Sequence, residues 1–139
     1  MTTTVSPLVD GWLQLWNGDL DRASDLVTPD FRVHAAMMDG GDGSAVAGPG
    51  ALAAWIGQTR AAFTGLTFTI EVGPIVQDDL LALRWSVAGA YGGGFPGATA
   101  EIGTPVAFTG TDLLRVAGDR FAEYWVNSDI HLLLAQLKA

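Results

Sequence analysis

A few carboxylates and histidines set among tryptophans are the chemically capable side chains of this 139-residue sequence. In Glu123-Tyr124-Trp125-Val126-Asn127-Ser128-Asp129, a two-residue period puts Glu123, Trp125, Asn127 and Asp129 on one face of a strand, which aligns a carboxylate with an indole. A carboxyl group in an apolar setting can take a proton from carbon and later return one. Asp129 also stands where a terminal helix would begin, so capping is its alternative role. Arg84 lies between Leu83 and Trp85 in an apolar run. A buried arginine requires a carboxylate, and Glu123 and Asp112 are the candidates. His34 sits on the polar face of a short strand, where structural and catalytic roles are both open.

Other chemistries lack their residues. With no cysteine, thiolate metal sites, thiol nucleophiles and iron–sulfur clusters are all ruled out. His34 and His131 are far apart and belong to no His-Glu-x-x-His motif, so no metal site is expected. No Gly-x-Ser-x-Gly elbow is present. The glycine runs Gly40–Gly43 and Gly92–Gly97 lack both a following Lys-Ser or Lys-Thr and the strand–glycine–helix order that cradles a pyrophosphate. They read as loops, and no cofactor is expected. A net charge of −8 repels phosphate backbones and anionic lipid, which argues against nucleic-acid and membrane partners. Met1–Ser6 is Thr-rich, with neither a basic residue nor an apolar run of signal-peptide length, and a cytoplasmic location is expected.

The elements that must position these groups follow from periodicity. Ser6 and Pro7 open a helix to about Asn17, with Leu8, Val9, Trp12, Leu15 and Trp16 at helical spacing. Asp19 starts a second short helix, which Pro29 stops, and Phe31–His34 form a strand. After a loop from Asp39 to Gly50, Leu52, Trp55, Ile56, Thr59 and Phe63 form a helix ending near Gly65. The period then changes to two, giving strands Thr67–Val76, Leu80–Tyr91, Pro105–Val116 and Arg120–Asn127, and Ile130–Leu137 close the chain as a helix. Short links favour antiparallel pairing. Helices followed by strands predict one α+β domain over residues 1–139, its curved antiparallel sheet covered by the N-terminal helices. The strands read as apolar on both faces while one helical layer covers only one, so a homodimer is expected. Trp12, Trp16, Trp55, Trp85 and Trp125 come from different elements and could fill a core or line a pocket.

The order of these pieces resembles the SnoaL-like polyketide cyclases of the NTF2-like superfamily. The matching residues are Trp16-Asn17-Gly18-Asp19, Pro29-Asp30-Phe31-Arg32-Val33-His34, Gly48-Pro49 with Trp55 and Arg60-Ala61-Ala62-Phe63, Arg84-Trp85 with Gly89, Gly103-Thr104-Pro105-Val106, and Glu123-Tyr124-Trp125 with Asp129 and Leu134-Ala135-Gln136-Leu137. They span nearly the whole chain. The resemblance implies a cone-shaped α+β barrel, usually a homodimer through the sheet, with an apolar pocket between sheet and helices. It also implies that Asp129 is the acid–base aspartate. Tyr91 stands where many relatives have a histidine, and the Arg-x-Asp pair of the epoxide-hydrolase branch is absent.

The expected activity is a cofactor-free aldol ring closure on a small apolar or polycyclic ligand. Asp129 and His34 are its expected catalytic residues, and Trp16, Trp55, Arg84, Trp85, Tyr91, Asp112 and Trp125 its substrate contacts. The alternatives are a ligand-binding or accessory protein without turnover and a related isomerase, dehydratase or assisted hydroxylase, because the fold hosts all of them.

Overall fold

The structure, a computed structural model, describes residues 6–139. Met1–Val5, where the absence of a leader was expected, lie outside the described residues. Helix α1 (Ser6–Trp16) is followed by a 3-10 turn at Leu20–Arg22, helix α2 (Ala23–Leu26) and strand β1 (Val27–Ala35). Then come helix α3 (Gly48–Ala61), strands β2 (Phe63–Gln77), β3 (Leu80–Tyr91), β4 (Pro105–Ala117) and β5 (Arg120–Ser128), and helix α4 (Ile130–Leu137).

The fold is α+β, as expected, with five strands in the order β1-β5-β4-β3-β2. The sheet is open: β1 and β2 are its edges and do not close it into a barrel. From β2 through β5 the pairing is antiparallel, but β1 runs parallel to β5. Short links dictate antiparallel pairing only between successive strands, and four elements separate β1 from β5. Two boundaries also shift. Pro29 sits inside β1 instead of stopping a helix, which an edge strand tolerates because it need not donate along its free side. Strand β2 begins at Phe63, directly after α3, so the helix ends short of Gly65.

The face toward the helices carries Phe31, Val33, Leu66, Phe68, Leu83, Trp85, Leu114, Phe121 and Tyr124, all buried in one core with Val9, Trp12, Leu15, Leu52 and Ile56. A register shift in β5 lets Phe121 pair with Val116 while Glu123 pairs with Arg115. This bulge turns both Phe121 and Tyr124 inward and leaves Glu123 and Trp125 outside. The outer face of β3–β5 is therefore mixed, with Arg84, Thr109, Thr111, Arg115 and Glu123 around Leu113 and Trp125, not apolar throughout.

Two side-chain amides fasten helices to strand backbone. Asn17, just past α1, accepts from the Phe68 N–H at 2.7 Å and donates to its carbonyl at 3.2 Å, covering part of the β2 edge. Gln136 of α4 does the same for Ala107, at 2.7 and 2.8 Å, where β4 runs on past the end of β5.

Candidate functional site

Helices α1, α3 and α4 stand off the sheet enough to leave a cavity of about 1050 Å³. Aromatic rings wall it because α1, α3 and the inward positions of β2, β3 and β4 each supply them: Trp12 and Trp16, Trp55, Phe68, Trp85 and Phe108. The rings meet mostly edge to face or tilted, with Trp16 5.5 Å from both Trp55 and Phe68, and Trp85 5.3 Å from Phe68 and 5.7 Å from Phe108. Such contacts hold the walls in fixed orientations. The indole N–H of Trp16 is buried and has no hydrogen-bond partner.

One ionisable group sits deep in this wall. The β4 alternation points Phe108, Gly110, Asp112 and Leu114 inward, so Asp112 is a carboxylate in an otherwise apolar row, 3 % exposed. Three donors reach it. The Trp85 indole N–H and the Tyr124 hydroxyl bind Oδ1 at 2.9 and 3.0 Å, and the Trp12 indole N–H binds Oδ2 at 3.1 Å. Burial raises its pKa to about 6, since desolvation outweighs the three hydrogen bonds that favour the anion. Burial and the neighbouring Asp112 charge push the Tyr124 hydroxyl well up, so it stays a donor. Gly110 makes the geometry possible, because a Cβ there would lie 2.1 Å from Cζ2 of Trp85.

The other expected site residues divide between the two faces. Trp16, Trp55, Trp85 and Asp112 line the cavity, whereas Asp129, His34, Arg84, Trp125 and Tyr91 do not. Asn127, near the end of β5, is among the residues lining the cavity, whereas Glu123 and Trp125 do share one face, and it is the outer one. There His34 stacks on Trp125 at 5.0 Å and its Nε2 lies 2.7 Å from Glu123, which also meets Arg32 and Arg115. The hydrogen bond from His34 is the main cause that keeps the Glu123 pKa low. The carboxylate partner of Arg84 is Asp129, at 3.3 Å, and neither Glu123 nor Asp112. Asp129 occupies the N-cap position of α4 without a side-chain cap bond, because its Oδ2 accepts from Thr109 and Arg84. The Thr109 bond, then Arg84, lowers its pKa. Tyr91 packs in a second small cluster with Val106, Leu133 and Leu137, and its hydroxyl accepts the Phe95 N–H.

Tyr124 has no site role in the sequence reading, and Trp12 is there only one of five tryptophans that could line a pocket, without its bond to Asp112. The available signal was Asp112 itself, the one charge at an inward position of β4, whose buried oxygens had to find donors on facing elements.

The mouth is formed by the segment after β1 and by Gly94–Pro96. Asp39 and Asp42 lie on its rim, exposed, each accepting a backbone N–H two residues on, from Gly41 and Ser44. The Ser44 bonds hold the Asp42 pKa low. Among the described residues, none of those lining the cavity is a lysine, arginine or histidine. No group of three or more His, Cys, Asp or Glu among the described residues could hold a metal ion, and no described helix is long and apolar enough to cross a membrane.

The sequence profile of a family described as the SnoaL-like domain matches residues 9–124. Among solved structures, IdmH from Streptomyces antibioticus, provisionally named a polyketide cyclase, superposes with a TM-score of 0.81 at 25% identity over 99% of this chain and 100% of its own. A provisionally named polyketide cyclase from Acidithiobacillus ferrooxidans has a TM-score of 0.81 at 17% identity over 99% and 98%. A protein of ketosteroid isomerase-like fold from Catenulispora acidiphila, solved with trimethylamine, has 0.75 at 20% over 97% and 95%. Comparison with curated proteins gives no match.

Proposed function

The chain belongs to the SnoaL-like domain family, and on that premise we propose that it is a small enzyme closing a carbon ring by intramolecular aldol condensation, with Asp112 as the group that moves the proton. One observation supports this above the rest: a carboxylate with its pKa raised to about 6 in the wall of a roomy aromatic cavity. A general base works best with a pKa near the operating pH. Asp129 and Glu123, by contrast, have lowered pKa values and lie on the opposite face, which makes them weaker proton acceptors and leaves them remote from the cavity.

In this reaction the Asp112 carboxylate takes a proton from a carbon flanked by two carbonyls, and the substrate's own oxygens delocalise the resulting enolate. The enolate carbon attacks a second carbonyl of the same molecule, one carbon–carbon bond forms, and the new alkoxide takes the proton back from Asp112. Nothing is oxidised or reduced, so the chemistry calls for no cofactor. Oδ2 is the reacting oxygen, because it holds one donor where Oδ1 holds two. Trp16, Trp55 and Trp85 provide flat walls for a polycyclic skeleton, and the volume lies at the large end of the usual range for ligand sites.

The second reading, a binding module without turnover, has its own observation: three donors already satisfy much of Asp112. The experiment compares Asp112→Asn with wild type in single-turnover assays on a polyketide β-dicarbonyl substrate, with melting temperature measured in parallel. A rate loss of roughly 10²–10⁴-fold in a folded variant supports the base. An unchanged rate sinks the assignment, and a ligand that binds wild type and is recovered unaltered favours the binding module.

A further inference from the structure

The charges around the cavity are one-sided. Its lining holds Asp39, Asp42 and Asp112 but no cationic side chain among the described residues, although the sequence has seven lysines and arginines. Five of those arginines are visibly engaged elsewhere: Arg32, Arg84 and Arg115 in ion pairs on the outer face, Arg22 with Asp19, and Arg60 on the carbonyl of Trp16. The indole N–H groups of Trp12 and Trp85 and the Tyr124 hydroxyl all bind Asp112, so three donors of the wall are already committed to a carboxylate.

A ligand carboxylate entering here would shed water without gaining a counter-ion, and would meet rim carboxylates first. An ammonium group meets the reverse situation, since indole and phenyl faces attract cations and the rim attracts them from solution. We propose that the cavity selects its ligands by charge, taking an aromatic or polycyclic skeleton that bears a protonated amine and turning away the same skeleton bearing a carboxylate. The proposal rests on the reading of the cavity as the ligand site, and it is independent of whether ring closure occurs there.

Asp39 and Asp42 set the rim contribution, and asparagine at both positions isolates it. The amide oxygen can still accept the Gly41 and Ser44 N–H bonds that shape the loop, while the charge is gone. The test is isothermal titration at pH 7.5 with three probes of one shape: (1-naphthylmethyl)trimethylammonium, its neutral isostere 1-(2,2-dimethylpropyl)naphthalene, and 1-naphthylacetate. The expected order is ammonium tightest, by about tenfold over the neutral probe, with the carboxylate weakest. In the double variant D39N/D42N, the ammonium advantage should fall at least severalfold while neutral affinity holds, and in wild type it should shrink with added salt. A neutral probe that binds as tightly as the ammonium overturns the proposal, as does a carboxylate that binds more tightly than the neutral probe. An ammonium advantage undiminished in D39N/D42N overturns the role of the rim. Failure of all three probes to bind removes the cavity as a ligand site, and the proposal with it. Because the readout is binding, tight ammonium binding without turnover of any dicarbonyl would defeat ring closure alone.

Discussion

At Asp112 two effects of opposite sign meet, and both leave measurable traces. Burial raises its pKa from 3.8 to about 6, so the folded state binds a proton more tightly than the unfolded chain. Between those values stability falls as pH rises, by an amount on the order of 3 kcal/mol, and it levels off above about pH 6. Denaturant unfolding of wild type and Asp112→Asn from pH 4 to pH 7 should show this slope in wild type and a flatter profile in the variant. Parallel slopes would place the pKa elsewhere. The rate should move the other way, since the base works only when ionised: kcat/KM should rise through a transition near pH 6 and level off above it. Asp129→Asn provides the contrast. Its side chain binds Arg84 and Thr109 on the outer face, so single-turnover rates should stay within a few-fold of wild type. A loss of a hundredfold there would return Asp129 to the mechanism.

The strands and helices were legible in the sequence to the extent that their neighbours are local. The hydrophobic period placed β3 at Leu80–Tyr91 and α4 at Ile130–Leu137 as they are found. The same period put Glu123 and Trp125 on one face, as they are found, yet nothing in an isolated strand says which of its faces the helices cover. That is decided by the bulge at Phe121–Glu123, which depends on packing Phe121 and Tyr124 against Trp12, at 5.5 and 4.9 Å. The candidate site was therefore half legible in position: Trp16, Trp55, Trp85 and Asp112 line the cavity, while Asp129 and His34, expected to carry the acid–base role, lie on the other face of the sheet. Within β4, Gly110 carries a requirement that no pattern announces. Gly110→Ala should force the Trp85 ring off Asp112, destabilising the fold by about 1–3 kcal/mol through overpacking. Urea unfolding and the near-ultraviolet dichroism of the tryptophans check this, and an unchanged midpoint would mean that the ring moves freely.

For the molecule as a whole, the mixed outer face is the surface a second copy would use. Leu113, 36 % exposed, and Trp125 lie there among charges that already have partners, so apposing two such faces strands few ions. Light scattering at micromolar concentration should give twice the protomer mass of 14.5 kDa, and a mass of one protomer would reject the dimer. The parallel pairing of β1 with β5 has a kinetic consequence. The strand laid down first waits for the one laid down last, across β2, β3 and β4, so every route to the native topology must close that long loop before the sheet is complete. Hairpins β2–β3 and β4–β5 can form early and locally, whereas β1 has no strand partner along its inner edge until synthesis has passed Ser128. During translation on the ribosome, the cover for the apolar side of that strand until its partner emerges is therefore the chain's own α1, α2 and α3, which pack against it.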